Sequence, residues 1–142
     1  MYRDLYGLEI SESILETLRK HNLSTISECE KRAPIYLHSF DYGSIKYWAN
    51  HTELPVNYLL MKGTPFDLDE VNQYATGIGF QDKLLWDYFS NTPTDTLKKT
   101  RDLGMIVHVW TFKDDELLFS ASNNIEMYKI GHNVLKLDGV IT

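Results

Sequence analysis

The segment "MIVHVWTF" occupies residues 105–112. It follows Gly104, is rich in β-branched and aromatic residues, and is short, which predicts a strand. A period of two puts Ile106, His108 and Trp110 on one face and Val107, Val109 and Thr111 on the other. A strand serving only as core would carry aliphatic groups on both faces. Here an imidazole and an indole stand at the exit end of one face, which points to a ligand pocket at that end.

On the upstream side, "NTPTDTLKKTRDLG" (91–104) predicts a helix. Thr92 is the expected cap and Pro93 the first helical residue, with Leu97 and Leu103 inward and Gly104 as the stop. On the downstream side, "IEMYKIGHNVLK" (125–136) predicts a helix with Ile125, Ile130 and Val134 inward, and "LDGVIT" (137–142) a strand. The same alternation runs through the rest of the chain. "ISESILETLRKHN" (10–22) reads as a helix capped by Ser11, with Ile10, Ile14, Leu15 and Leu18 on one face. "PIYLHSF" (34–40) reads as a strand, "YGSIKYWANH" (42–51) as a helix and "LPVNYLLM" (54–61) as a strand with Pro55 at its start. "FDLDEVNQYA" (66–75) reads as a helix opened by Asp67 and Glu70, and "TGIGF" (76–80) as a short strand.

Strands alternating with helices imply a parallel sheet covered by helices. No Asn-Gly or Asp-Gly lies between two alternating runs, so no hairpin is expected. Two architectures accommodate five such units: a complete doubly wound domain, or part of an eight-stranded βα barrel, which needs about 200 residues or more. "YRDLYGLEI" (2–10) shows no strand before the first helix, and the chain stops at or within its fifth strand. Both features favour the partial barrel.

The 142 residues, 43% apolar and 24% charged, suit one soluble globular domain. A net charge of −6 argues against a nucleic-acid surface, and no apolar run reaches the ~18 residues of a membrane span. The chain shows no targeting address, and its compartment is open. Cys29 stands alone, so no internal disulfide forms. "GIGFQD" (77–82) lacks the third glycine of a dinucleotide loop; its two glycines read instead as a tight strand exit. His38 and His108 both lie on expected strands and could reach one pocket, but no third ligand sits close in sequence to make a metal site. Paired catalytic carboxylates, a nucleophile elbow and a phosphate loop are also missing.

"IYLHSFD" (35–41), "LPVNYLL" (54–60), "YATGIG" (74–79), "GMIVHVWTF" (104–112) and "LDGVIT" (137–142) follow one another in this order. Together they resemble the C-terminal half of the glycerophosphodiester phosphodiesterase family. That family shows a Gln-Ser-Phe strand end, a Leu-Pro strand, a "YADGIGP"-like segment, a Val-His-x-Trp/Tyr-Thr strand and a closing Asp-Gly-Val-x-Thr-Asp. The opening "YGLEISESILETLRK" (6–20) also looks like the helix before the Gln-Ser-Phe strand.

The resemblance implies a partial TIM (β/α)8 barrel over residues 1–142, supplying strands four to eight. It implies hydrolysis of a glycerophosphodiester to an alcohol and glycerol 3-phosphate, within lipid and glycerol metabolism, with Ca²⁺ or Mg²⁺ as cofactor. The family's metal ligands and acid–base residues lie on the first three strands, so the resemblance implies an inactive chain that lacks an N-terminal barrel segment. A non-catalytic glycerol-phosphate-binding pseudoenzyme, or an unrelated doubly wound α/β binding domain, is the alternative. Trp110 matches the aromatic that contacts glycerol, and Ser39 the Ser of Gln-Ser-Phe. His38 replaces the Gln, which would make its hydrogen bonding pH-dependent. Lys113, where many members carry Asn or Arg, would favour a phosphate or stand as a solvated loop residue. Phe80 replaces a family proline.

Overall fold

The computed structural model describes residues 10–142, and the reading of residues 2–9 lies outside them. The elements run α1 (Ile10–Lys20), α2 (Ile26–Glu30), β1 (Leu37–Ser39), α3 (Tyr42–His51), β2 (Val56–Leu60), α4 (Leu68–Val71) and β3 (Gly77–Gln81). Then follow α5 (Asp82–Leu85), β4 (Trp86–Asp87), β5 (Thr92–Pro93), α6 (Asp95–Asp102), β6 (Ile106–Trp110), α7 (Asn124–Lys129), a π-helical turn (Ile130–Val134) and β7 (Gly139–Ile141).

Five strands form one parallel sheet in the order β1-β2-β3-β6-β7. The order never reverses, so the topological switch point of a doubly wound sheet is missing. The sheet also curls. His38 on β1 and His108 on β6 are separated by three strand spacings, about 14 Å in a flat sheet. Their rings nevertheless stack with centroids 5.6 Å apart, which places both on the concave side of an arc. A curled parallel arc with helices outside is a half-barrel.

The convex side is the core. Val56, Leu60, Ile78, Phe80, Val107 and Val109 are buried there, covered by Ile45 and Trp48 of α3, Leu97 of α6 and Met127 of α7. Asp41 caps α3 by accepting the Ser44 N–H at 2.7 Å, and Pro55 stands just ahead of β2. Trp48 donates its indole N–H to the Ser11 carbonyl at 3.0 Å, and the Ser11 hydroxyl donates to Ser44, so α1 is tied to α3.

Several expectations are corrected. The 91–104 helix begins at Asp95 with Thr94 as N-cap. Thr92 and Pro93 instead pair antiparallel with Trp86 and Asp87, a small ribbon that no Asn-Gly or Asp-Gly announced. Asp67 does cap α4, accepting from Asp69 and Glu70 N–H, but that helix ends at Val71. In the 125–136 segment, Ile125 and Val134 are exposed while Met127 and Leu135 are buried. Ile125 and Met127 lie on the regular α7, and the π turn that follows adds a residue per turn and shifts the register of Val134 and Leu135. Ser11 lies inside α1, and Ile10 is 51% exposed. Among the described residues, no helix is long and apolar enough to cross a membrane.

Candidate functional site

Alternation on β6 holds as expected. Val107 and Val109 are wholly buried on the convex side, and His108 and Trp110 share the concave side. They meet the alternate residues of the other strands there. Phe40, just past β1, sets its ring edge-on to Trp110 at 5.2 Å and 86°. Tyr36 stands edge-on to His108 at 5.4 Å. The result is a concave wall of two imidazoles, an indole, a phenol and a phenyl ring.

Small residues open the space between them. Gly77 and Gly79 sit within β3, not at a tight strand exit as the sequence suggested. A Cβ at 77 would lie 2.6 Å from the Ile106 carbonyl oxygen, and one at 79 would lie 2.5 Å from Leu59 Cδ2. The close approach of the Ile106 backbone requires glycine at 77, whereas at 79 the crowding comes from the end of the Leu59 side chain. At Gly139 a Cβ would come 2.9 Å from His108 Nε2, so this glycine makes room for the imidazole.

His108 is fixed by Asn57. The Asn57 amide nitrogen lies 3.1 Å from His108 Nδ1. An amide N–H only donates, so Nδ1 accepts and the neutral ring carries its proton on Nε2. Burial holds the His108 pKa below its usual value, partly opposed by Asp138. Burial also lowers the His38 pKa, and the neighbouring His108 adds to the effect. Near neutral pH both rings are neutral hydrogen-bonding groups. The Asn57 side-chain oxygen and His38 Nδ1 are buried and have no partner among the described residues.

Trp110 donates its indole N–H to the Gly79 carbonyl at 2.9 Å, which locks the ring plane at the exit end of the sheet. His38 and Trp110 thus share the concave face. Ser39, adjacent to His38, projects to the opposite side by alternation, and its hydroxyl accepts the Asp41 N–H at 3.0 Å. Lys113 pairs with Glu116 at 3.3 Å within its own turn. Phe80 is fully buried on the convex side. Asn57, Tyr36 and Phe40 were not singled out from the sequence. The period of two in "YLHSF" (36–40) carries Tyr36 and Phe40 onto the His38 face, and that signal was available.

Among the described residues, no group of three or more His, Cys, Asp or Glu is placed to hold a metal ion. The arrangement does not fit a divalent-cation centre of its own. What the concave face offers is a flat aromatic surface, two neutral imidazoles and an oriented amide, which suit recognition of a small polar molecule with a carbon backbone.

Comparison with known proteins agrees with the order of motifs. The chain is 26% identical over 160 aligned residues to the glycerophosphodiester phosphodiesterase GDPD6 of Arabidopsis thaliana, an alignment covering 96% of this chain and 43% of that protein. The crystal structure of a glycerophosphodiester phosphodiesterase from Parabacteroides distasonis matches with a TM-score of 0.58 and 22% identity, over 93% of this chain and 45% of that one. No family model matches the chain. The chain therefore spans less than half the length of these two relatives, and the resemblance to the glycerophosphodiester phosphodiesterase family holds in both sequence and fold. The fold is the curled five-strand part of such a TIM barrel.

Proposed function

We propose that this chain forms the substrate-lining part of a glycerophosphodiester phosphodiesterase. The carrying observation is the convergence of Trp110, Phe40, His38 and His108 on the concave face of the arc. In this reading the Trp110 ring packs on the glycerol carbons, as its likeness to the family's glycerol-contacting aromatic supports. His38, with its unpartnered buried Nδ1, serves a hydroxyl or phosphate oxygen. His108, oriented by Asn57, presents its Nε2–H as a donor. Ser39 acts through the β1 exit turn that it braces, and Lys113 adds positive charge beyond Trp110 once its pair with Glu116 opens.

The divalent cation and the acid–base groups belong, by the resemblance, to barrel strands that precede these five. The cation would supply Lewis-acid activation of the phosphodiester. This chain's residues bind the glycerol phosphate moiety and shield it from water. The 142-residue chain is expected to bind glycerol 3-phosphate and to leave glycerophosphocholine intact. Hydrolysis is expected when a metal-bearing N-terminal barrel half is joined to it, and that hydrolysis should fall sharply on Trp110→Ala. Hydrolysis unaffected by Trp110→Ala would count against the reading.

A further inference from the structure

The connection from β6 to α7 carries an exposed turn between two buried feet. Lys113 and Glu116 close the turn, as an antiparallel bridge and as a side-chain pair at 3.3 Å. Phe112, two residues beyond Trp110, is the first foot, and Leu118 and Phe119 form the second. The sheet fixes the first foot, because the Phe112 N–H donates to the Ile141 carbonyl at 2.9 Å. The second foot has no such support. Phe119 and Ser120 both hold a positive φ, 59° and 57°, in the left-handed region that residues other than glycine enter at a cost. Two such residues in succession persist only where outside contacts hold them.

Those contacts come from the segment that follows β3. The Phe119 N–H donates to the Tyr88 hydroxyl at 3.0 Å, and that hydroxyl donates to the Asp82 carboxylate. The directions are fixed, because a backbone amide only donates and the phenol has one proton to give. Asp82 is buried, and a buried carboxylate needs a donor. Burial, and then the hydrogen bond to Asp82, pushes the Tyr88 phenol up to about 12, so it keeps its proton. Trp86 adds an edge-on contact to the Phe119 ring at 5.8 Å. Asp82 directly follows Gln81, the register partner of Trp110. The chain from Phe119 through Tyr88 to Asp82 therefore ties the far foot of the turn after β6 to the exit of β3.

We propose that Tyr88 is a positioning residue for Lys113: its hydroxyl pins the second foot of the turn to Asp82 and so sets where the Lys113 ammonium stands relative to Trp110. The inference rests on the reading of the concave face as a glycerol phosphate site, in which Lys113 supplies charge to the phosphate. Tyr88 acts through the turn and not on the ligand. Without its hydroxyl the Phe119 amide loses its acceptor, the left-handed pair relaxes, and the ammonium spreads over positions away from the phosphate.

Tyr88→Phe in the full chain removes one oxygen and keeps the ring. It also leaves the Asp82 carboxylate without its donor, so Tyr88→Phe with Asp82→Asn is made beside it to remove the orphaned charge. In both variants amide hydrogen exchange at Phe119 should rise roughly tenfold or more above any change at the sheet amides of Phe80 and Val109. Titration with sn-glycerol 3-phosphate, read at the Trp110 indole resonance, should show several-fold weaker binding in Tyr88→Phe. Lys113→Gln should weaken binding similarly, and Tyr88→Phe should add nothing in the Lys113→Gln background. A general loss of packing does not produce that non-additivity. Unchanged exchange at Phe119, unchanged affinity in Tyr88→Phe, or a Tyr88→Phe effect undiminished in Lys113→Gln overturns the proposal and leaves the glycerol reading standing. A wild-type chain with no saturable response overturns both.

Discussion

The indole N–H of Trp110 donates to the carbonyl of Gly79 at 2.9 Å, and a Cβ on that glycine would stand 3.5 Å from Trp110 Cδ1. The proposed glycerol-binding ring is thus held by the one central strand that carries almost no side chain on the concave side. The two glycines of β3 should respond differently to substitution. At 77 a new Cβ meets the Ile106 backbone oxygen at 2.6 Å, which cannot move without disturbing the sheet. At 79 the closest atom is Leu59 Cδ2 at 2.5 Å, the end of a side chain that can rotate away. Gly77→Ala should cost about 2–3 kcal/mol and Gly79→Ala about 1 kcal/mol or less. Urea denaturation of the two variants measures the difference; equal losses would contradict the close-approach account.

Stability should also depend on pH through the stacked imidazoles. Burial lowers both His38 and His108 from their usual value. A depressed imidazole binds fewer protons folded than unfolded in the window between its two pKa values. Stability is therefore full above the ordinary imidazole value, about 6.5, and declines as pH falls below it. The groups facing the pair are each other and Asp138, whose attraction for protonated His108 reduces the decline without reversing it. Melting temperature measured between neutral and mildly acid pH should drop, and His38→Gln with His108→Gln should flatten that slope. An unchanged slope in the double variant would refute this origin.

Asp138 joins three elements. Its carboxylate accepts the Val107 N–H at 2.7 Å and pairs with Arg101 of α6 at 2.5 Å. The Arg101 pair is partly exposed and contributes little by itself, but the Val107 amide would lose its partner at the start of β6. Asp138→Ala should destabilise the chain by about 1–2 kcal/mol, and Arg101→Gln by under about 1 kcal/mol. Chemical denaturation checks the ranking; Arg101→Gln costing more would contradict it.

Among the described residues the arc leaves polar edges on β1 and β7 and rings exposed on its inner face, with Tyr36 37% and Phe40 52% exposed. Open strand edges and an uncovered aromatic wall favour self-association. Sedimentation of the 142-residue chain should show dimers or larger species, reduced by Phe40→Lys. A purely monomeric chain at high concentration would contradict this.

Much of the fold was legible because periodicity reports burial. "VHVWTF" (107–112) gave the buried valines and the shared face of His108 and Trp110 from spacing alone, and α3 runs over the residues the pattern assigned. Elements were missed where a local rule competes with a longer-range one. Thr92-Pro93 resembles a helix start, yet pairing with Trp86-Asp87 takes those residues into a ribbon, and Thr94 begins the helix instead. The π turn after Lys129 shifted the register of Val134 and Leu135 in a way no 3.6-residue pattern encodes. The capping box of Thr25 and Glu28 is present in the sequence and marks α2, a helix too short and polar to show an apolar period. Asn57 looked like an ordinary strand residue, because its partner His108 lies 51 positions away and only the curl of the sheet brings them together.

In the proposed function the concave face recognises a glycerol phosphate through Trp110. Titration of the chain with sn-glycerol 3-phosphate, followed by tryptophan fluorescence or the Trp110 indole resonance, measures that recognition. The expected result is a saturable change that disappears in Trp110→Ala. No saturable change, or one undiminished by Trp110→Ala, would contradict the claim.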